Sequence, residues 1–499
     1  MPEVVLVFPK TGFDVGAAIA APHAVLSVAA PLRDYGYDVR IVDQRVDFNW
    51  ERSLASALKS NPLFVGVSSM TGTQIHFALA AAKAVRQNTG KDVPLVWGGC
   101  HPTILPEETL ENEYVDVVVK SEGEITLLEL ANALEKNKPL KNILGIGYKE
   151  RGRQRQNPLR PLMDVEKLLP TSWELVDVEK YIYKDLYLEG PRTLDIGETS
   201  RGCPFKCGFC CSAAIRRRQW RPMSVKKSLD KIVSDVQRFK LTGIWIRDDN
   251  FYVNPKRSEE ICRGMVREKL DIAWYTSGTR VRTFNALSPD SIRLLKKSGA
   301  SVLKFGAESG CNRILKLMDK QLTIEETFQS NLRAKKFGII PAYSFIGGFP
   351  TETWEELMET IDAMIRIMRD NPQAIVESLC IYTPLPATPM YNLALKHGLK
   401  PPRKLEDWSD WSFHDYNDRR NPWLSKSKRR MLGNMTYISS MSSVVMNLVD
   451  SLPEPQKSVI TPFAALASRY YQWRWNRKKF AWTPELTMLR YIRHHMFDR

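Results

Sequence analysis

The sequence predicts an α/β protein with an N-terminal doubly wound, Rossmann-like parallel sheet, then a partial (β/α)6 barrel, then a helical C-terminal region. Two stretches of the chain support this prediction, because apolar, β-branched runs alternate with helical patterns in each of them. The C-terminal region has no such alternation. We therefore expect domains at 1–140 and 193–415, a linker at 141–192, and a basic, aromatic-rich helical region at 416–499.

The first alternation predicts the doubly wound sheet. Its strands are 3–8, 38–43, 63–69, 94–98 and 115–119, and its helices are 21–35, 52–60, 74–88 and 123–136. Ligands of such sheets bind at the carboxyl ends of the strands. The loops at those ends carry hydroxyls, glycines and glutamates, which suit a polar ligand beside the sheet.

The second alternation predicts the partial barrel. Its strands are 194–198, 243–247, 272–277, 301–306, 339–346 and 374–382, and its helices are 224–240, 256–268, 288–298, 310–318, 324–337 and 353–369. In such barrels the chemistry lies at the carboxyl ends of the strands. A stretch with four cysteines follows the first of these strands.

Composition and charge narrow the class of protein. The chain has 499 residues, 43% hydrophobic and 26% charged, which is ordinary for a soluble protein of two or three domains. We find no signal peptide and no stretch of about 18 apolar residues, so we expect a cytoplasmic protein. The net charge of +16 fits nucleic acid, an anionic membrane surface or anionic small molecules. Because no nucleic-acid motif stands out, no nucleic acid partner is expected.

The cysteine stretch has metal-ligand spacing. Cys203, Cys207 and Cys210 follow the pattern C-x3-C-x2-C. Three thiolates can hold three irons of a [4Fe–4S] cluster and leave the fourth iron open. A structural zinc is the alternative, but it requires a fourth ligand nearby. Cys211 directly follows Cys210, so we expect a buried thiol there and not a ligand.

The segment Cys203-Pro-Phe-Lys-Cys207-Gly-Phe-Cys210, with Phe209 before the third cysteine, resembles the radical S-adenosylmethionine (SAM) enzymes. The resemblance implies that the amino and carboxylate groups of SAM chelate the open iron and that an electron from the cluster yields a 5′-deoxyadenosyl radical. It implies SAM contacts at further barrel strand ends, and these are Phe209, Asp248, Asp249, Ser277, Arg280, Glu308, Gly347, Gly348 and Tyr382. A helix N-cap at the Asp248-Asp249 pair and a surface salt bridge at Arg280 are the alternatives.

A doubly wound domain before such a barrel resembles the cobalamin-binding subgroup of that family. The implied corrinoid contacts are Ser68, Ser69, Thr71, Gly98, Gly99, His101, Pro102, Glu122, Gly123 and Glu124. The subgroup's D-x-H-x-x-G signature is missing, because Asp43 is followed by Gln44 and Arg45. The lower cobalt ligand is therefore open, and we interpret His101 as a tail or backbone contact. A flavodoxin-like scaffold without corrinoid is the alternative.

Two basic segments suggest partners. Arg216, Arg217, Arg218 and Arg221 follow the cysteines and suit an anionic substrate, the SAM carboxylate, or an external electron donor such as flavodoxin or ferredoxin. A solvated helix start is the plain alternative. The basic, aromatic tail predicts either a peripheral helix at the inner membrane face or a helix that covers the barrel mouth.

The resemblance implies a cobalamin-dependent radical SAM C-methyltransferase. Its expected substrate is an unactivated carbon of a large apolar or anionic molecule, such as a tetrapyrrole, a lipid or a secondary metabolite. An oxidative cyclase, or another enzyme that forms carbon–carbon bonds with the same cofactors, is the first alternative. A non-catalytic metal-binding scaffold at a membrane surface is the second.

Overall fold

Seven strands form the N-terminal sheet of the computed structural model, which describes residues 3–12, 19–185, 188, 190–411, 421–450 and 455–488. In chain order they are β1 (Glu3–Phe8), β2 (Asp38–Asp43), β3 (Val65–Ser68), β4 (Leu95–Gly98), β5 (Val117–Val119), β6 (Ile146–Glu150) and β7 (Arg153–Gln156). The order across the sheet is β2-β1-β3-β4-β5-β6-β7. The first five strands pair in parallel, so the predicted doubly wound sheet is confirmed.

Six helices accompany this sheet. They are α1 (His23–Tyr35), α2 (Trp50–Leu58), α3 (Gln74–Thr89), α4 (Cys100–Ile104), α5 (Pro106–Glu111) and α6 (Glu124–Glu135). The short helices α4 and α5 were not predicted, because six residues or fewer show no helical period. One core cluster packs α1 and α6 against the sheet through residues such as Val4, Leu32 and Leu130.

The sheet continues into the predicted linker. Strand β6 pairs antiparallel with β5, and β7 pairs antiparallel with β6. The side chains of Ile146 and Tyr148 are buried, whereas every residue of β7 is exposed. A charged edge strand of the sequence RQRQ discourages pairing with another chain, and it carries no apolar signal from which a strand could be predicted.

The first part of the second alternation belongs to the same compact unit as this sheet, which comprises residues 1–274, 385–391 and 401–412. Strand β8 (Thr193–Gly197) is followed by two short antiparallel strands, β9 (Ser200–Arg201) and β10 (Arg221–Pro222), and then by β11 (Gly243–Ile246). Strands β8 and β11 pair in parallel. The helices are α7 (Ser212–Ile215), α8 (Val225–Phe239) and α9 (Pro255–Arg267).

A second compact unit comprises residues 275–384, 392–400 and 413–499. Strand β12 (Ala273–Thr279) leads into it, and β13 (Ala300–Glu308), β14 (Ile340–Gly347) and β15 (Ile375–Ile381) pair in parallel within it. The intervening helices are α10 (Val281–Ala286), α11 (Pro289–Lys297), α12 (Asn312–Leu317), α13 (Ile324–Phe337), α14 (Trp354–Asp370) and α15 (Pro389–Lys396). Capping boxes at Thr323 and Thr353 start α13 and α14. The predicted six strand–helix units are confirmed.

Two long helices, α16 (Lys426–Asp450) and α17 (Gln456–Asn476), pack against each other in the C-terminal region and confirm its helical character. Of the predicted tail, residues 416–420, 451–454 and 489–499 lie outside the described residues. Within the described ranges, no helix has both the length and the apolarity that a bilayer crossing requires. The exact limits of the predicted domains remain a prediction.

Candidate functional site

The three cysteines lie on the loop between β9 and α7. The loop turns sharply at Gly202, where φ is +85° and a Cβ would lie 2.1 Å from the carbonyl oxygen of Gln219. Only glycine fits so close an approach of two backbone segments. Further along, the amide of Cys210 donates to the carbonyl of Cys207 at 3.1 Å, and the amide of Met390 donates to Gly208 at 2.9 Å. These contacts fix the start of the loop and its middle.

The surroundings of Cys210 disfavour the ionised form of its thiol. Burial raises the pKa of Cys210 to about 11, and the neighbouring Cys207 and Cys203 raise it further. Three mutually repelling thiolates suit a positively charged iron core, which provides a separate iron for each sulfur. Within the described ranges, no three His, Cys, Asp or Glu side chains converge on one ion position. A cluster does not require such convergence.

Asp248 fixes the entry to the cysteine loop. Its buried carboxylate accepts hydrogen bonds from the amides of Thr199 (2.5 Å) and Ser200 (3.0 Å) and from both of their hydroxyls. Burial raises the pKa of Asp248, although these hydrogen bonds oppose the rise. Because the chain already occupies both oxygens, we revise the predicted role of Asp248 from a SAM contact to a positioning residue.

Asp249 is the more accessible member of the predicted pair. One carboxylate oxygen accepts a hydrogen bond from the amide of Gly202 at 3.0 Å and lies 3.3 Å from the Ser212 hydroxyl. The residue is exposed. Asp249 thus touches both ends of the cysteine loop and keeps a surface that can face a ligand.

A buried carboxylate, Glu122, binds the basic segment that follows the cysteines. Its oxygens accept hydrogen bonds from Arg216 (2.7 Å) and from both terminal nitrogens of Arg221 (2.7 and 2.9 Å). The amide of Met163 adds a hydrogen bond at 2.9 Å. Burial alone would raise the pKa of Glu122, but the arginines lower it overall. The loop after β5 is thereby joined to the segment that carries the cysteines.

Glu124 forms a second buried ion pair in the same place. Arg201 lies 2.7 Å from its carboxylate, the Ser27 hydroxyl donates to it at 2.6 Å, and Arg201 also pairs with Glu198. Burial would raise the pKa of Glu124, yet Arg201 and Ser27 lower it to about 2. Glu122 and Glu124 were predicted as corrinoid contacts. The structure pairs both carboxylates with arginines and so gives them a positioning role. Oε2 of Glu124 is buried without a hydrogen-bond partner among the described residues, and the contact of these residues with a corrinoid stays a prediction.

The arginines after the cysteines also differ from their prediction. Arg216 and Arg221 face Glu122 inside the protein, and Arg217 donates to the carbonyl of Arg160 at 3.0 Å. Sequence reasoning could not foresee this, because the partner carboxylate lies in another domain of the chain. Arg218 is exposed, and its contact with an anionic substrate or electron donor stays a prediction.

The cysteine loop also neighbours the end of β4. Helix α4, which begins at Cys100, contacts α7, which follows Cys211. Burial raises the pKa of Cys211 to about 12, and the nearby Cys100 contributes to the rise. Cys211 thus lies near α4 and is half-buried, and its role as a thiol outside the cluster stays a prediction.

Four buried polar atoms at or just after the ends of β3, β4 and β5 lack hydrogen-bond partners among the described residues. They are the hydroxyls of Ser69 and Ser121, Nε2 of His101 and Oε2 of Glu124. His101 Nδ1 lies 3.0 Å from the Thr71 hydroxyl, and burial lowers the pKa of His101 to about 4, so its imidazole is neutral. Unsatisfied buried polar atoms are rare and mark a place for a polar ligand. This site fits the polar tail of a corrinoid.

The backbone of this site is tightly built. Gly99 has φ of +103°, and a Cβ there would lie 2.6 Å from the carbonyl oxygen of Ser69. The Thr103 hydroxyl donates to the Gly99 carbonyl at 2.7 Å and accepts from the amide of Ser121 at 2.9 Å. Ser121 was missed as a site residue, although its φ of +68° marks it as strained. Ser68 and Gly98 end β3 and β4, Pro102 lies in α4, and Gly123 directly precedes α6.

Arg45 stands two residues after Asp43, where the subgroup's signature has histidine. Its guanidinium makes a bidentate pair with Asp43 at 2.7 and 2.9 Å and lies 4.2 Å above the ring of Phe8. The Tyr181 hydroxyl donates to the same carboxylate at 2.9 Å. The segment is thus fixed by an ion pair, and a guanidinium is not a cobalt ligand.

The second unit contains predicted SAM contacts at the ends of β12 and β13. Glu308 has φ of +68°, a conformation that residues other than glycine rarely adopt. Its carboxylate pairs with the Lys320 ammonium at 2.6 Å, and Arg280 donates to the backbone carbonyl of Lys320 at 2.6 Å. Ser277 is exposed on β12. Lys320 was missed, because nothing in the sequence ties it to Glu308.

The predicted glycine contacts follow β14. The carbonyl of Gly348 accepts a hydrogen bond from the Trp423 indole at 3.0 Å, and the ring of Tyr382 lies 4.9 Å from that of Phe349. Glu352 accepts hydrogen bonds from the amides of Gly348 and Phe349, and burial raises its pKa to about 7. Gly347 is buried, and a Cβ there would lie 2.6 Å from Cδ1 of Leu357. The roles of these residues toward SAM remain predictions.

The chain combines a doubly wound domain with a three-cysteine loop that follows a parallel strand. Buried polar atoms without hydrogen-bond partners lie at the strand ends of the doubly wound domain. These features define an α/β protein that can bind a polar ligand and a metal cluster. Comparison with known families agrees with this class. Residues 198–364 match the radical SAM superfamily, and residues 12–131 match the B12-binding domain.

An uncharacterized methyltransferase of Pyrococcus horikoshii is 33% identical over 402 residues, which are 80% of this chain and 84% of that protein. The anaerobic magnesium-protoporphyrin IX monomethyl ester cyclase of Rubrivivax gelatinosus is 28% identical over 391 residues, 75% of this chain and 67% of that protein. The structure of a cobalamin-dependent S-adenosylmethionine radical enzyme, with aqua-cobalamin and S-adenosylmethionine bound, matches with a TM-score of 0.73 at 19% identity, covering 99% of this chain and 75% of that one.

This chain belongs to the radical SAM superfamily, in the group of enzymes that carry a B12-binding domain. The predicted family is therefore confirmed. The predicted cofactor set of a [4Fe–4S] cluster, SAM and cobalamin is the set of that group.

The Glu124–Arg201 pair predicts a pH-dependent stability. The folded pKa of Glu124 is about 2 against an ordinary 4.5, so the pair stabilises the fold fully above pH 4.5 and loses its effect as the pH falls toward 2. This difference corresponds to roughly 3 kcal/mol at neutral pH. Glu124→Gln is expected to lower the thermal midpoint of the apoprotein at pH 7, and the gap from wild type is expected to shrink toward pH 3.

The matched control is Glu51→Gln, since Glu51 is exposed. It should track wild type at every pH. A Glu124→Gln variant as stable as wild type at pH 7, or a gap that widens on acidification, would contradict the described ion pair.

Proposed function

We propose that this protein is a cobalamin-dependent radical SAM C-methyltransferase. The observation that carries the proposal is the joining, within one compact unit, of the cysteine loop to the polar ends of β4 and β5 through Glu122. A methyltransferase needs its radical-generating cluster near its methyl-donating corrinoid. The relative named as a methyltransferase supports the same choice.

The residues of the cysteine loop would hold the cluster. Cys203, Cys207 and Cys210 would each bind one iron, and Asp249 would face the amino group of SAM at the remaining iron. When bound, these cofactors supply a 5′-deoxyadenosyl radical and a transferable methyl group. Asp248 keeps the loop entry rigid through its four hydrogen bonds with Thr199 and Ser200.

The polar strand ends of the first sheet would hold the corrinoid tail. Ser69, His101 and Ser121 offer buried polar atoms without other partners among the described residues, and Thr71 orients the imidazole of His101. The neutral imidazole can donate or accept one hydrogen bond at Nε2. Because Arg45 is fixed by Asp43, we propose that the chain supplies no cobalt ligand from that position.

The residues of the second unit carry the remaining proposed SAM contacts. Glu308 is held in a strained conformation by Lys320, which suits a carboxylate that orients hydroxyl or amino groups. Arg280 and Ser277 would meet the carboxylate of SAM, and Gly347, Gly348 and Tyr382 would meet its adenine. Phe209 would cover the cluster beside Cys210.

For the substrate, we propose a class of molecule and not a particular compound. We propose a large apolar or anionic molecule, such as a tetrapyrrole, a lipid or a secondary metabolite. An oxidative cyclase on the same cofactors is the second candidate, favoured by the relative named as a magnesium-protoporphyrin cyclase. An external donor such as flavodoxin or ferredoxin would supply the electron, and we propose a cytoplasmic location.

Product analysis separates the two candidates. The protein is reconstituted anaerobically with iron, sulfide and cobalamin, reduced, and incubated with SAM. A methyltransferase forms S-adenosylhomocysteine as well as 5′-deoxyadenosine, because a second SAM restores the methyl group. Deoxyadenosine without S-adenosylhomocysteine would contradict methyl transfer and favour the cyclase.

Cys203→Ala is expected to abolish deoxyadenosine formation, since one iron of the cluster would lose its ligand. The matched control is Cys211→Ala in the same loop, which should keep its iron and most of its activity because Cys211 faces α4. Full deoxyadenosine production by Cys203→Ala would overturn the cluster assignment.

Gly99→Ala is expected to lower the cobalamin retained after gel filtration by about tenfold or more, because a Cβ at 2.6 Å from Ser69 displaces the site's backbone. Gly90→Ala is the matched control, since Gly90 also has positive φ but has nothing within 4 Å of its Cβ position. Gly99→Ala with wild-type cobalt content would contradict the proposed corrinoid site.

A further inference from the structure

Helix α17 presents an exposed apolar stripe. Val459, Phe463, Leu466, Tyr470 and Trp473 follow one another at intervals of four, three, four and three residues. This spacing places all five on one face of a helix. Phe463 is 71% exposed and Leu466 is 68% exposed. Soluble proteins rarely expose so continuous an apolar face without a binding purpose.

The opposite face of α17 is packed and fixed. Ala464, Ser468, Tyr471 and Trp475 are buried, and the ring of Tyr471 meets that of Tyr437 on α16 at 5.8 Å. The helix is therefore anchored along its length. The stripe lies on a face that this packing leaves exposed.

The segment after α17 is fixed as well. The buried guanidinium of Arg474 pairs with Glu485 at 2.8 Å and donates to the carbonyl of Lys479 at 2.9 Å. Trp475 packs on Phe480 at 5.3 Å. This fold leaves Trp482 72% exposed, which adds a further large apolar side chain to the C-terminal surface.

The charges around the stripe have one sign. Residues 456–476 contain no Asp or Glu. Arg469, Arg477 and Lys479 are exposed, and the guanidinium of Arg477 lies 5.5 Å from the ring of Trp473. An apolar stripe with aromatic residues and a basic border is complementary to an anionic bilayer, where the aromatic rings lie at the headgroup level and cations meet phosphates.

We propose that the exposed face of α17 binds the surface of an anionic lipid bilayer, with the helix lying in the plane of the interface. The apolar stripe enters the headgroup boundary, and the basic border meets the lipid phosphates. This surface is independent of the proposed catalytic function and would hold if the reaction were another one.

The experiment is co-flotation of the full-length protein with vesicles. Vesicles of about three parts phosphatidylcholine to one part phosphatidylglycerol are compared with pure phosphatidylcholine. We expect binding to the anionic vesicles and little to the neutral ones. We also expect binding to weaken at about 0.5 M salt, because salt screens the basic border.

The test variant is Phe463→Ser with Trp473→Ser. Both side chains are exposed, so the fold should persist, and vesicle partitioning should fall by about tenfold or more. The matched control is Phe48→Ser, an 88% exposed phenylalanine in the first unit, which should bind as wild type does.

Three outcomes would overturn the proposal. The first is no flotation with anionic vesicles. The second is flotation that the double variant does not reduce. The third is a concentration-dependent dimer, seen by sedimentation and lost in the double variant, without vesicle binding. That result would identify a second copy of the chain as the occupant of the stripe.

Discussion

The architecture of the first unit depends on the ion pair between the buried carboxylate of Glu122 and two arginines. This carboxylate lies at the end of β5 and accepts hydrogen bonds from Arg216 and Arg221, which follow the cysteine loop. Glu124 repeats the arrangement with Arg201, which precedes that loop. Removing one partner of such a buried pair leaves an uncompensated charge and costs about 3–5 kcal/mol. The loop is therefore fixed to the sheet on both sides of the cysteines.

This arrangement explains why the loop after β5 carries two glutamates. Sequence patterns predicted corrinoid contacts for both carboxylates, whereas the structure shows their ion pairs with arginines. A glutamate at a strand end suits a ligand and an arginine equally well. Only the folded chain brings Glu122 within 2.7 Å of Arg221, which lies far along the sequence. The same holds for Asp248, whose four hydrogen-bond donors on Thr199 and Ser200 could not be identified from the sequence.

Local sequence patterns were sufficient to predict the strands, but they did not predict which side chains pair with each other in the fold. The alternation of apolar runs located the five parallel strands of the first sheet and the six strands of the second alternation, because burial requires those side chains. The antiparallel strand β7 was not predicted, because an exposed edge strand of charged and amide residues shows no apolar period. The family was predicted from a resemblance that the segment Cys203–Cys210 and several further strand ends carry. Ser121, Lys320 and Glu352 were not predicted as site residues. The backbone strain of Ser121, the ion pair of Lys320 and the burial of the Glu352 carboxyl arise only in the folded chain.

The central claim is that one compact unit holds both the cluster loop and the corrinoid site. The most direct test is the metal content after anaerobic reconstitution. The protein is loaded with iron, sulfide and hydroxocobalamin, and excess is removed by gel filtration. We predict about four irons and about one cobalt per chain, with an iron–sulfur shoulder beside the corrinoid bands in the visible spectrum. Iron without cobalt would contradict the account, because the unsatisfied polar atoms at the ends of β3, β4 and β5 would then serve another ligand.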